Sequence, residues 1–223
     1  MNPALSDNDD AALVSSTNTR DIGDLRFRAL LSGSAWASLP QSVRKRFSKR
    51  LCDGASAVYA GRVTAIEISN PGRILAQCLR LIGAPLPLSC KPGAASVVTV
   101  TEDAASGGQN WTRLFARKPG FPQIIHSVKR FSGPTGLEEY VGFGISMALT
   151  SSVEDGTLVF RSSRYCLAFR NWRIPLPRWI CPGDLTVAHK EVTPTSFLFT
   201  LHLEHKVFGR LVHQEALYDE ASL

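Results

Sequence analysis

"EEYVGFGISMAL", residues 138–149, alternates with a period of two. Glu139, Val141, Phe143, Ile145, Met147 and Leu149 fall on one side, and Glu138, Tyr140, Gly142, Gly144, Ser146 and Ala148 on the other. Successive side chains of a strand point to opposite faces, so this reads as one strand with a large apolar face. The opposite face is small rather than charged. A row of Gly, Gly, Ser and Ala means either that something packs closely there or that space is kept open.

Working outward, the same period recurs from residue 95 to the end. Strands are expected at Val58–Ile68, Ser96–Glu102, Trp111–Ala116, Gln123–Phe131, Leu158–Phe169, Leu185–Lys190, Phe197–Glu204 and Arg210–Leu217. Turn-forming stretches separate them: "SGGQ", "KPGFP", "SGPTG", "EDG", "CPGD" and "TPTS". Turns this short join antiparallel neighbours. No βαβ alternation follows residue 95 and no internal repeat is present. The fold class expected is α+β: N-terminal helices, then a long antiparallel meander. Such a meander is too wide to lie flat, so a curved sheet, a half-barrel or a barrel of about eight strands is expected. A barrel of that size is filled with side chains or holds one small ligand.

The helices are expected before the sheet and once within it. "DIGDLRFRALLSG" puts Ile22, Leu25, Ala29 and Leu30 near one face. In "SLPQSVRKRFSKRL", Pro40 suits a first helical turn, and Val43, Phe47 and Leu51 make a narrow stripe among Arg44, Lys45, Arg46, Lys49 and Arg50. In "GRILAQCLRLIG", Ile74, Leu75, Cys78, Leu79 and Ile82 share a face, with Gly83 as the stop. Residues 1–20 are rich in Ser, Asn and Asp, without apolar periodicity, and are expected to form a flexible acidic tail. Residues 21–223 are expected to form a single domain.

The chain of 223 residues carries a net charge of +6, unevenly placed. Residues 1–25 hold five aspartates against one arginine, a sum of −4, which leaves +10 for the remainder. A basic body favours anionic partners. Five cysteines without a C-x-x-C pair offer no zinc pattern and read as buried free thiols in a reducing compartment. With no secretory leader and no run long enough to span a bilayer, the location expected is cytoplasmic. No cofactor is expected: neither a Walker loop nor a G-x-G-x-x-G after a strand exists, and "GFGIS" at 142–146 lies in a strand.

"RNWRIPLPRWICPGD", residues 170–184, concentrates two tryptophans, three arginines and three prolines. Its aromatics lack the fixed spacing of a nucleic-acid-binding sheet, which argues against that partner. Pro175, Pro177 and Pro182 remove amide donors, so the stretch is no central ladder. The reading is a structural corner in which Trp179 and Ile180 plug a barrel end and the arginines face solvent. A surface-docking alternative uses Arg173, Arg178 and Trp179, or the basic helix through Arg44, Lys45 and Lys49, on acidic lipid or an acidic protein.

Glu138 and Glu139 point to opposite faces of their strand and so form no catalytic pair with each other. Glu138 shares the small-residue face and is expected to line a cavity, and one of the two glutamates, either Glu138 or Glu139, is expected to form a structural bridge between strands with Arg113. Trp111, Tyr140, Gly142 and Gly144 are grouped with them. His202 and Glu204 share a face near the C-terminal end and join the candidate site. They supply two metal ligands at most, no spacing fixes a third, and no metal is expected. No nucleophile motif is present.

Laid in order, "LPQSVRKRF", "YAGRVTAIEIS", "LIGAP", "WTR" at 111–113, "LEE" at 137–139, "PLPRWICP" at 175–182 and "HKVFGRLVHQEAL" resemble the bacterial domain of unknown function 4166 family. That family is found alone and also fused behind saccharopine-dehydrogenase-like NAD-binding domains. The resemblance covers most of residues 36–217. Phe47 stands where the family commonly has histidine, and "HK" at 205–206 replaces a more usual His-Pro. The resemblance implies a shared fold and an oxidoreductase neighbour, and it carries no catalytic residue.

Three functional expectations follow. The first is a binding or accessory domain whose barrel-type pocket holds a hydrophobic, lipid-like small molecule oriented by Arg113 and Glu138. The second is an enzyme domain using Glu138 or Glu139, Arg113 and His202 alongside an NAD-dependent partner. The third is a module docking on a protein or membrane surface.

Overall fold

The computed structural model describes residues 23–81, 86–88, 90–117, 119–169 and 172–221. The expectations for the N-terminal tail, Ile22, Ile82 and Gly83 lie outside them. Ten strands close into a barrel: β1 (Ser56–Ile68), β2 (Ala95–Asp103), β3 (Gly108–Phe115), β4 (Gln123–Arg130), β5 (Glu138–Gly142), β6 (Ile145–Glu154), β7 (Thr157–Phe169), β9 (Asp184–Glu191), β10 (Ser196–His205) and β11 (Gly209–Glu220). A short β8 (Trp172–Pro175) hangs on the end of β7. Every neighbour in the barrel is antiparallel and next in sequence except at the seam, where β1 pairs with β11 from Tyr59↔Glu220 to Ile68↔Val212. Closure leaves the barrel no free edge. The strand count therefore exceeds the eight expected, and the half-barrel alternative is excluded.

One extra strand comes from the opening stretch. Residues 138–149 are not one strand but a hairpin, β5 and β6, with Gly142 opposite Ile145 and Phe143–Gly144 as its two-residue loop. Both loop residues have positive φ, 46° and 79°, the signature of a type I′ turn. The period of two survived the turn because a one-residue bulge between Tyr140 and Gly142 cancels the parity change of the two-residue loop: Glu139 and Met147 pair and share a face, as do Glu138 and Ala148. The other extra strand, β8, obeys the proline argument, since it pairs on one side only.

The two ends of the barrel differ. At one end lie α1 (Arg26–Ala29), α2 (Gly33–Ser38) and α3 (Gln41–Phe47), all before β1. They drive Phe27, Trp36, Leu39, Val43 and Phe47 into the core. Phe27 meets Phe47 at 5.1 Å and Phe131 at 4.8 Å, edge to face. The buried face of α1 is thus carried by Phe27, while Leu25 is exposed. Val43 and Phe47 fill the core as expected, but α3 stops at Phe47 and its Arg46 is buried, the guanidinium 3.8 Å from the Phe197 ring. We call this the plug end.

At the opposite end, α4 (Asn70–Leu81) follows β1 and lies against β11. A Cβ on Gly72 would stand 2.1 Å from the Leu211 carbonyl oxygen, so only glycine allows this approach. Leu75 and Leu79 face the barrel, while Ile74 and Cys78 are exposed, a narrower stripe than the sequence suggests. All five cysteines are free thiols, but only Cys166 is buried. No helix among the described residues is long and apolar enough to cross a membrane.

Candidate functional site

Between α4 and the middle of the barrel the interior is not filled. A cavity of about 220 Å³ lies there, walled by side chains such as Phe115, Ile125, Val141, Met147, Phe199 and Leu203. Leu75 and Leu79 of α4, Leu86, Pro87, and Leu176, Ile180 and Pro182 of the β8–β9 connection close it from above. This is the mouth end. The strands supply the walls through alternate inward positions, with Leu201 and Leu203 on β10 and Leu185 and Val187 on β9.

The floor of the cavity is polar. Arg113, Ser127, Glu139 and Gln214 reach it from β3, β4, β5 and β11. Glu139 Oε2 lies 2.9 Å from the Lys129 ammonium, and its Oε1 accepts the Ser127 hydroxyl at 2.5 Å. Arg113 donates from Nη1 to Ser127 Oγ at 3.3 Å, and its Nη2 is 4.0 Å from Glu139. Burial alone raises the Glu139 carboxyl, but the charges of Lys129 and Arg113 and the Ser127 bond outweigh it and hold the pKa at about 2. Glu139 is therefore a fixed anion at neutral pH.

Below this layer, towards the plug, His189 is enclosed by rings: Phe47 at 5.1 Å, Phe199 at 5.5 Å and Phe197 at 5.7 Å. Burial, helped by the charges of Arg46, Lys129 and Arg113, pushes its pKa well below the ordinary 6.5. Its imidazole is neutral. The interior thus has three storeys: an aromatic plug, an ionic layer and an apolar chamber.

The sequence-derived site residues divide accordingly. Of them, Arg113 lines the chamber. Trp111 is inward but lower, with its indole N–H donated to Gln109 at 3.2 Å. Glu138 faces outward, because Glu139 takes the inward position; it is buried against Ser132 and paired with Arg173 of β8. It neither lines the cavity nor pairs with Arg113. Tyr140 also faces outward, its ring under the Arg130 guanidinium at 4.2 Å. Gly142 and Gly144 serve the hairpin turn. Ser146 and Ala148 are buried on the outer face, so the small-residue row marks close packing, and the chamber belongs to the opposite face.

His202 and Glu204 are also on the outer surface, 3.4 Å apart, because Leu201 and Leu203 occupy the inward places. His213 stands beside them, its ring 5.8 Å from that of His202. Among the described residues, no group of three His, Cys, Asp or Glu side chains is arranged to hold a metal ion. The proposed docking residues fall at opposite ends: Arg44, Lys45 and Lys49 at the plug, Arg173, Arg178 and Trp179 on the mouth-side connection. A flat partner cannot engage both sets. Trp179 plugs nothing, being 81% exposed, whereas Ile180 covers the chamber as expected, together with Leu176 and Pro182.

Sequence reasoning named Glu139 as one of two alternative acids and His189 only as a possible third metal ligand, and it missed Lys129, Ser127 and Gln214. A signal existed for Glu139, which heads the apolar face of its strand: a charge on that face must point into the core and needs a partner there. The family model for "Domain of unknown function (DUF4166)" matches residues 39–217, from the last turn before α3 to the final strand. No curated protein and no solved structure matches the chain.

Proposed function

The chain belongs to the DUF4166 family, and we propose that this domain is a binding protein whose barrel holds one small hydrophobic molecule in the mouth-end chamber. The observation that carries this reading is an apolar cavity of about 220 Å³ within the barrel. Protein interiors are close-packed. Apolar side chains that line such a space forgo packing contacts, which costs stability. A ligand that fills it removes that cost. An engineered apolar cavity of ~150 Å³ takes benzene, so this one suits a single ring with substituents or a short chain.

Native mass spectrometry of the freshly purified protein, followed by solvent extraction, tests the reading. A discrete adduct that extracts as a hydrophobic compound is expected, and Met147→Trp, which fills the chamber, should abolish it. A clean mass for the wild type, repeated after incubation with a lipid extract, would rule the reading out.

A second observation favours surface docking at the mouth. Of fourteen large apolar side chains exposed among the described residues, twelve fall on mouth-side connections and strand ends, and only Leu25 and Val192 do not. They include Leu81, Phe121, Phe143, Trp179 and Phe208, each more than half exposed. Arg73, Arg80, Lys91, Arg117, Arg178 and Lys206 share that side with Glu67, Asp184 and Glu204. Aromatic and cationic side chains together suit an anionic lipid surface, from which an apolar ligand passes without crossing water. Co-sedimentation with phosphatidylcholine vesicles containing phosphatidylserine should fall when Trp179 and Phe121 are changed to serine. Binding that is equal for pure phosphatidylcholine and unaffected by both substitutions excludes this route.

A further inference from the structure

We propose that the chamber takes its ligand head-inward and that the head is a carboxylate, held by Arg113 and Gln214. The inference rests on the binding reading above and names the chemical class of the ligand: a small hydrophobic monocarboxylic acid.

The floor of the chamber is short of one anion. Both oxygens of Glu139 are already engaged, one by Lys129 and the other by Ser127. Among the described residues, Arg113 has no carboxylate within hydrogen-bond distance. Its nearest is Glu139 at 4.0 Å, and its one side-chain bond is the 3.3 Å contact to the Ser127 hydroxyl. A guanidinium carries five donors in a planar fork. A cation this enclosed, with its side chain 13% exposed, gains most from a planar anion that engages two of those donors at once.

An independent observation lies across the floor. Gln214 is 1% exposed and lines the same chamber, and its Nε2 has no hydrogen-bond partner among the described residues. A buried amide left without an acceptor is costly. It belongs to β11, whereas Arg113 belongs to β3, so the two donors reach the floor from different walls of the barrel.

Charge fixes the valence of the head. Arg113 and Lys129 face one carboxylate in this layer, Glu139, so a single further negative charge makes the layer neutral. A phosphate monoester, near −2 at neutral pH, would overshoot. The apolar walls exclude a wholly polar anion, and the volume excludes a long chain. What remains is a compact apolar body bearing one carboxylate.

The test is calorimetric titration of the intact protein at pH 7 with octanoate and with 1-octanol, equal in chain length and different in head. The wild type should bind octanoate at least tenfold more tightly than octanol. In Arg113→Met that preference should vanish, and in Gln214→Leu it should shrink. Arg113→Lys, which restores the charge without the fork, should recover part of it and serves if the methionine variant fails to fold. Equal affinity of the wild type for the two probes, or a preference untouched in the Arg113 variants, overturns the carboxylate assignment while the chamber stands. Failure of the wild type to bind either probe overturns the binding reading and this inference together.

Discussion

Lys129 is 2% exposed, its ammonium 2.9 Å from Glu139 and within 5.3 Å of the Trp111 ring centroid. Removing one member of such a pair leaves the other charge buried without its partner. Lys129→Met is expected to cost ~3–5 kcal/mol in urea unfolding, whereas Lys129→Met combined with Glu139→Leu should recover part of the loss. Glu139 and His189 also set the acid limb of stability, in different windows. The His189 pKa is depressed in the fold, so the unfolded chain takes up a proton first; stability is complete above the unfolded value of 6.5 and declines as pH falls below it. Glu139, depressed to about 2, contributes fully above the unfolded 4.5 and loses that contribution as pH drops towards about 2. His189→Phe should therefore flatten the dependence of the urea midpoint between pH 7 and 5, leaving the steeper fall below pH 4.5 in place. A midpoint profile unchanged by that substitution would show that His189 protonates in the folded state as freely as in the unfolded one.

Among the elements, the hairpins show what a sequence discloses and what it hides. The β6–β7 turn is Asp155–Gly156, with φ of 47° and 74°, and its "EDG" announces a turn because Asp-Gly tolerates two positive φ values. The β5–β6 turn has the same backbone but uses Phe143 at the first position, where an aromatic residue is strained and gives no turn signal. That is why the hairpin reads as one strand, and why its small residues were assigned to a cavity wall. Phe143→Asn creates the favoured Asn-Gly loop. It is expected to raise stability by a few tenths to ~1 kcal/mol, visible as a higher thermal midpoint. Elsewhere, the eight remaining expected strands fall within a few residues of their observed bounds, because alternation and turn chemistry agree locally. The ionic floor was hidden for a different reason. Arg113, Lys129 and Glu139 are brought together by the pairing of β3, β4 and β5, with Lys129 directly opposite Glu139, and Gln214 joins them from β11 only when the barrel closes. β8 escaped because four residues with a terminal proline carry almost no ladder signal.

At the scale of the whole molecule, the proposed function makes the ionic layer the boundary between a part that stabilises and a part that binds. Phe47→Ala, in the plug, should cost ~3–5 kcal/mol while leaving bound material detectable in the protein that remains folded. Met147→Trp, in the chamber, should do the reverse, removing the ligand at little cost in stability. Chemical denaturation and native mass spectrometry of the two variants distinguish these outcomes, and parallel losses in both assays would show that the storeys are not independent. The seam between β1 and β11 has a consequence for how the chain reaches this state. It joins residues near 59 to residues near 220, so the strand of the barrel made last is the one that closes the cylinder. Long-range pairings form slowly, on a millisecond-to-second scale for β-rich topologies. Until β11 arrives, β1 has an open edge and the apolar lining faces water, a state prone to association with other chains. The folding of the barrel is therefore gated by the arrival of β11, and its most vulnerable moment comes just before that strand docks.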